Sequence, residues 1–307
     1  MTAPREGQTF AGASRWTHYV NFVKLPHTVF ALPFALVGAT LATYVKPITF
    51  AVLGWIILAF TAARFAAMGF NRIVDRHVDA ANPRTAGREL PRGALELGEA
   101  IIAVGVASAL FFLAAWQLNP LCLMLAPFAL GWVFFYSYTK RFTKLSHIAL
   151  GLGLGIAPVG GYLAVTGAWS DPWWLLVALT VAVTTWVAGF DILYALQDVD
   201  FDRGSGLFSI PAALGIRRAI TIARLLHLTT VVALIFAGLR TEVGLFYGIG
   251  VGLVAILLAF EHRLVNPNDL SRLDAAFFTM NGVISITFFV FVLIDRLVHA
   301  RAFPIAG

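Results

Sequence analysis

Charge is what this sequence has least of. Only 12% of its 307 residues are Asp, Glu, Lys or Arg, 59% are hydrophobic, and the mean hydropathy is +0.82. Soluble domains carry about 25% charged residues, and half of that cannot cover a surface facing water. An ordinary soluble protein is therefore excluded. Cysteine is nearly absent too. The lone Cys122 excludes an internal disulfide or a cysteine-rich metal site, and within an apolar run it reads as a small core residue. Large apolar side chains are not scarce, with 26 Phe and 8 Trp, which excludes a disordered chain. A cleavable leader is not expected either. Residues 1–18 are polar, and the apolar segment after them is long enough to span a bilayer.

What is present is a series of apolar runs at roughly 19–45, 48–74, 95–117, 120–138, 145–167, 172–198, 214–238, 242–262 and 274–297. Lipid admits only helices and closed barrels, and these runs lack the alternation of strands. The expected fold is all-α: a single polytopic membrane domain over 1–307, with about nine transmembrane helices around a central cavity. Pro120 and Pro172 stand at run starts, where a missing N–H costs nothing. In this scheme Lys46, Arg240, Arg296 and Arg301 fall on one side, and Arg64 and Arg224 fall within spans. The other sixteen of the 22 basic residues share the opposite side with the polar segment 1–18. By the positive-inside rule that side is cytoplasmic. The net charge of +6 is thereby explained by topology, and no nucleic-acid partner is expected.

The few acids are concentrated. One cluster reads Asn71-Arg-Ile-Val-Asp75-Arg-His-Val-Asp79, and the other runs from Asp191 through Tyr194 and Asp198 to Asp202. Steps of four and seven keep each set on one helical stripe, and both lie at the cytoplasmic ends of even-numbered runs. Several carboxylates facing one another need a cation between them. Hard oxygen donors without His or Cys point to Mg²⁺, which keeps waters and bridges phosphates. Solvated helix flanks are the bland reading of such clusters. It is poor for Asp191, about two turns inside its span, and poorer for Arg64, which shares the stripe of Asn71. Ionisable groups inside a membrane are expensive and are functional by default. Bases stand nearby in the run Tyr136-Ser-Tyr138-Thr-Lys140-Arg141 and in the loop holding Arg84 and Arg88. Acids for Mg²⁺ with bases beside them are equipment for a departing diphosphate. Tyr136, Tyr138 and Tyr194 suit either a cation-stabilising cavity wall or an interfacial aromatic belt.

Asn71-x-x-x-Asp75-x-x-x-Asp79 resembles the first motif of the UbiA superfamily of intramembrane aromatic prenyltransferases. Asp191-x-x-Tyr194-Ala195-x-x-Asp198-x-x-x-Asp202 resembles the second. Arg64, Arg84-Thr85-x-x-Arg88 and the Tyr136–Arg141 run also match, so the resemblance spans nearly the whole chain. Its wording is most like bacterial 4-hydroxybenzoate polyprenyltransferase-like members. Two departures stand out: Arg72 sits where the family usually has Asp, and Pro91 comes two residues late.

The resemblance implies that Asn71, Asp75 and Asp79 hold one Mg²⁺ and that Asp198 and Asp202 hold another, both against a polyprenyl diphosphate. It implies that Lys140 and Arg141, with Arg84 and Arg88, neutralise the leaving diphosphate. Asp191 would then orient or deprotonate the phenol of an aromatic acid, 4-hydroxybenzoate or a hydroxylated naphthoate, and Arg64 would meet its carboxylate or a phosphate. The location implied is the inner (plasma) membrane, and oligomeric state is left open. The competing class is a cation transporter, which calls for ionisable residues along the full depth of several helices. Here they gather at one end.

Overall fold

The computed structural model describes residues 14–239, 241–265 and 280–299. Among the described residues twelve α-helices follow in order: α1 (Arg15–Phe22), α2 (Leu25–Ala42), α3 (Phe50–Ala81), α4 (Leu97–Leu118), α5 (Pro120–Thr139), α6 (Ser146–Thr166), α7 (Trp174–Tyr194), α8 (Val199–Gly204), α9 (Ile210–Leu214), α10 (Ile216–Gly238), α11 (Leu245–Leu264) and α12 (Asn281–His299). Among the described residues eight helical segments are long and apolar enough to cross a membrane: α3 to α6, α10 to α12, and the stretch Trp174–Gly204 that begins with α7. The first expected span, 19–45, departs from expectation. It is broken at Lys24, whose φ of +46° lies in the left-handed region that non-glycine residues avoid. The eight segments fall on the second to ninth apolar runs, and a shorter apolar helix, Ala31–Ala42, falls in the first. Residues 266–279, which include the start of the last expected run, lie outside the described residues, as do 1–13, 240 and 300–307.

Local chemistry sets the helix starts. Thr49 caps α3 by accepting from the Val52 N–H at 3.2 Å, and Asn119 caps α5 through the Cys122 N–H at 2.9 Å, with Pro120 in the first turn. Glu96 and Glu99 form a reciprocal capping box at the start of α4.

The core lies between α2, α6, α7, α10, α11 and α12, around Phe34, Leu163, Leu176, Trp186, Leu258 and Phe288. The stretch begun by α7 is the most enclosed: 67% of its apolar window is buried, against 17% for α3. Close helix approach there depends on missing side chains. A Cβ on Gly161 would strike the Ala35 carbonyl of α2, and one on Gly151 would strike the Thr184 carbonyl of α7. Small residues at crossings are how helices pack when lipid removes the hydrophobic drive between them. The outer surface carries Phe128 at 72%, Ile102 at 68% and Trp116 at 65% exposure, a covering only hydrocarbon suits.

At the end of the bundle opposite the acidic clusters, polar residues are used to fasten helices. Asp295 of α12 accepts from the Gly244 and Tyr247 N–H groups at 2.8 and 3.1 Å, capping α11. Arg296 donates to Thr43 Oγ1 at 2.8 Å, tying α12 to the end of α2. The other end gathers the C-termini of α3, α5 and α7 with the N-terminus of α6, and the clusters meet there.

Candidate active site

A cavity of about 340 Å³ opens at that end, lined from α3, α5, α6, α7, α8 and the loop after α3. The first cluster arises as the sequence indicates. Helix α3 continues to Ala81, so Asn71, Asp75 and Asp79 stack on one face, and the Asn71 amide donates to Asp75 Oδ2 at 3.1 Å. Asp75 and Asp79 are 2% and 4% exposed, in the last turns of α3, where the helix dipole disfavours negative charge. Bases offset that cost. Lys140 Nζ lies 2.6 Å from Asp75 Oδ2 and Arg141 Nη2 lies 2.9 Å from Oδ1, while Arg88 Nη1 lies 2.6 Å from Asp79 Oδ1.

The loop between α3 and α4 brings the bases across. The Asn82 side chain accepts from the Arg84 N–H at 2.9 Å, turning the chain, and Thr85 Oγ1 donates to the Asp79 carbonyl at 3.0 Å. Asn82 then gives its amide to Asp198 Oδ1 at 3.0 Å, and Arg84 grips both Asp198 oxygens, with Nε at 2.9 Å from Oδ1. Arg84 also donates to the Tyr194 hydroxyl at 2.9 Å and lies over that ring. Burial works against the Arg84 charge, and the bonds it donates to Asp198 and Tyr194, with their negative charge, outweigh it, so the guanidinium is held above its ordinary range.

The second cluster departs from the single stripe read in the sequence. Helix α7 ends at Tyr194, residues Ala195–Asp198 form a 3₁₀ turn, and Asp202 belongs to the short α8. The tighter turn changes the rotation per residue, so Asp191, Asp198 and Asp202 reach the cavity from successive segments. Ser209 donates to Asp202 Oδ2 at 2.8 Å.

Of the sequence candidates, Arg64, Asn71, Asp75, Asp79, Arg84, Arg88, Tyr136, Lys140, Asp191, Tyr194, Asp198 and Asp202 line this cavity. Arg141 acts from behind Asp75 without lining it. Tyr138 does not line it: 43% exposed, the ring faces outward against Phe70 and under Arg141, as the belt reading has it. Sequence reading missed Lys24, Asn82, Trp186, Phe190, His147 and Ser209. Trp186 and Phe190 were detectable, being two turns and one turn before Tyr194 on the same stripe. Arg72, the departure from the motif, is buried on the cavity wall 3.9 Å from Asp79.

The cavity has a chemical gradient. Its mouth holds the acids and bases, and its inner wall is Leu150, Leu154, Trp186, Val187 and Phe190. Between them lies Arg64, whose guanidinium makes no hydrogen bond or ion pair among the described residues, with Nε buried. Arg64 and Leu154 also line a second, apolar cavity of about 200 Å³ between α3, α4, α5 and α6.

Among the described residues no three His, Cys, Asp or Glu converge closely enough to hold an ion unaided. Mg²⁺ does not require that, since it binds through one or two carboxylates with waters and phosphates filling its octahedron. The donors are all oxygen, and Asp79 Oδ2 is buried with no hydrogen-bond partner among the described residues. The residues therefore fit Mg²⁺ shared with a phosphate ligand.

Comparison with known proteins agrees with this geometry. The profile of the UbiA prenyltransferase family matches residues 31–283. A 4-hydroxybenzoate octaprenyltransferase of Edwardsiella ictaluri is 31% identical over 238 residues, covering 75% of this chain and 80% of that protein. The Nitrosospira multiformis protein of the same name is 28% identical over 246 residues, covering 80% and 83%. The apo structure of a UbiA homolog from Aeropyrum pernix K1 superposes with a TM-score of 0.80 at 34% identity, covering 88% of this chain and 98% of that one. A UbiA homolog from Archaeoglobus fulgidus bound to DMAPP and Mg²⁺ shares the fold at a TM-score of 0.71 and 20% identity, covering 91% and 99%. With two polar clusters meeting at the mouth of an intramembrane cavity, and the family profile covering most of its length, this multi-pass membrane chain belongs to the UbiA prenyltransferase family.

Proposed function

We propose that the protein transfers a polyprenyl group from its diphosphate to a ring carbon of an aromatic hydroxy acid, 4-hydroxybenzoate before a hydroxylated naphthoate. The observation that carries this reading is the division of one cavity into a polar mouth and an aromatic interior, with Arg64, which has no hydrogen bond or ion pair among the described residues, between them. In the membrane such a guanidinium calls for an anion, and an aromatic carboxylate would supply one. The names of the bacterial relatives favour 4-hydroxybenzoate.

Asn71, Asp75 and Asp79 would hold one Mg²⁺, and Asp198 with Asp202 a second; bound there, the ions neutralise the diphosphate oxygens and lower the cost of its departure. Lys140, Arg141, Arg84 and Arg88 keep the mouth positive as the allylic C–O bond breaks and charge collects on the leaving group. The π faces of Trp186, Phe190 and Tyr136 stabilise the carbocation, and the dry apolar wall excludes the water that would quench it. A C–C bond then forms ortho to the phenol, and the ring carbon loses its proton. Asp191, on the cavity wall, orients or deprotonates that phenol. The apolar side cavity takes the start of the isoprenoid tail, which continues into lipid between helices. The excess of Lys and Arg at the mouth supports a cytoplasmic opening in the plasma membrane.

Membranes containing the protein, supplied with labelled prenyl diphosphate, Mg²⁺ and each aromatic acid in parallel, test the reading. Prenylated 4-hydroxybenzoate is the expected product. Labelled donor recovered intact with both acids would refute the assignment.

A further inference from the structure

Asp191 differs from every other carboxylate of the cavity in its partner. Asp75, Asp79 and Asp198 are each met by Lys or Arg, and Asp202 by a serine hydroxyl. Asp191 is met by a histidine: His147 Nδ1 lies 2.7 Å from Asp191 Oδ2. His147 is 3% exposed, stands in the first turn of α6 and lines the cavity wall. Its other nitrogen is also engaged, because the Ile210 N–H at the start of α9 donates to Nε2 at 3.3 Å. An amide N–H can only donate, so Nε2 is the acceptor and the proton of the neutral ring sits on Nδ1, directed at Asp191. This is the arrangement in which a backbone group fixes a tautomer and the ring then orients a carboxylate.

We infer that His147 is a positioning residue for the prenyl transfer proposed above, holding Asp191 by Oδ2 so that Oδ1 alone faces the acceptor. The inference rests on that functional reading. Three observations carry it together. The Asp191 side chain is 25% exposed, on the cavity side, so a ligand can reach it. No Lys or Arg among the described residues lies within ion-pair distance of it, so its charge is not already spent on a permanent cation. The anchor on the far side of His147 is continuous with the second acidic cluster. Ser209 holds Asp202, and the next residue, Ile210, holds His147. The short α9 thereby sets the acceptor-side acid and one diphosphate-side acid from adjacent residues, a fixed separation that a flexible loop could not keep.

The two bonds of His147 can be separated by substitution. In His147→Asn the amide nitrogen falls near the place of Nδ1 and keeps the donor to Asp191. In His147→Gln the amide reaches the place of Nε2, and in His147→Ala both bonds go. Loss of a hydrogen bond to a charged group predicts a fall of about 10- to 100-fold in kcat/KM for the aromatic acid in H147A, with KM for geranyl diphosphate unchanged. H147N should recover most of that loss, and H147Q should not. A merely structural histidine would depress both substrates alike and would not be rescued by Asn. If H147A does not accumulate in the membrane, H147N against H147Q carries the test. Equal activity of those two, or a loss that falls on geranyl diphosphate as much as on the acid, overturns the role of His147 and leaves the function standing. A wild-type protein that prenylates neither acid overturns both.

Discussion

Replacing Asp198 by Asn keeps its shape and removes its charge, which separates two duties the residue combines. In the structure Asp198 is gripped by Arg84 and accepts from Asn82, with the Arg84 and Asp198 side chains 22% and 16% exposed. A two-pronged pair of this kind contributes about 1.5–3 kcal/mol, and partial exposure reduces that to about 1–2 kcal/mol. The variant should therefore melt about 2–8 °C lower. Against a total stability of about 5–15 kcal/mol, that leaves the protein folded at 25 °C. Activity should fall much further, about 10²- to 10³-fold in kcat, because charge directed at a departing diphosphate is lost in the transition state. Purified protein in detergent, assayed at saturating substrates across a Mg²⁺ titration, gives the measurement. The half-saturating Mg²⁺ concentration should rise in D198N. Arg84→Met breaks the same pair but leaves the carboxylate, so it should melt lower while keeping the wild-type Mg²⁺ dependence. If D198N and R84M share one Mg²⁺ curve and their effects on kcat do not add, Asp198 serves only to hold Arg84, and its assignment to the metal is wrong.

Arg64→Met retains the side-chain volume and removes the guanidinium between the two parts of the cavity. KM for the aromatic acid should rise about 10- to 100-fold with the prenyl-donor KM unchanged, and the reverse pattern would move Arg64 to the diphosphate. Glu89, fully buried in the α3–α4 loop and 3.7 Å from Arg92, offers a pH test. Burial pushes its carboxyl above the usual carboxylate range, so the folded state holds a proton the unfolded chain releases, and stability falls as pH rises between the two values. Glu89→Gln removes that dependence. Its melting temperature relative to wild type should climb from pH 4.5 to 7.5, and a constant difference would reject the account. Cys122→Ala deletes a thiol from the wall of the apolar side cavity and should leave both activity and fold unchanged when assayed on short-chain donors.

The first acidic cluster was legible because α3 is an unbroken helix from Phe50 to Ala81, so spacing in the chain translates directly into a shared face. The second was legible as composition but not as geometry. A 3₁₀ turn follows Tyr194, and no pattern of apolar residues announces a change from 3.6 to 3 residues per turn. The break at Lys24 was marked only in part: Lys24, Pro26 and His27 interrupt the run, but nothing local specified a left-handed residue two positions before the proline. His147 and Ser209 carried no local signal at all. Their partners Asp191 and Asp202 are distant or separated by a turn, and only packing of α6 and α9 against α7 and α8 brings them together.

Composition and charge placement alone determined that the chain lives in lipid, that it is helical, and that its scarce acids belong together. Those properties follow from transfer energies and from the helical period, both of which act residue by residue. Tertiary structure decided which base answers which acid, that Tyr138 faces outward, and that Asp191 is partnered by an imidazole instead of a permanent cation. Such pairings depend on distances of a few ångströms between segments far apart in sequence. Coulomb and hydrogen-bond energies vary steeply over that range, and the linear chain does not encode it.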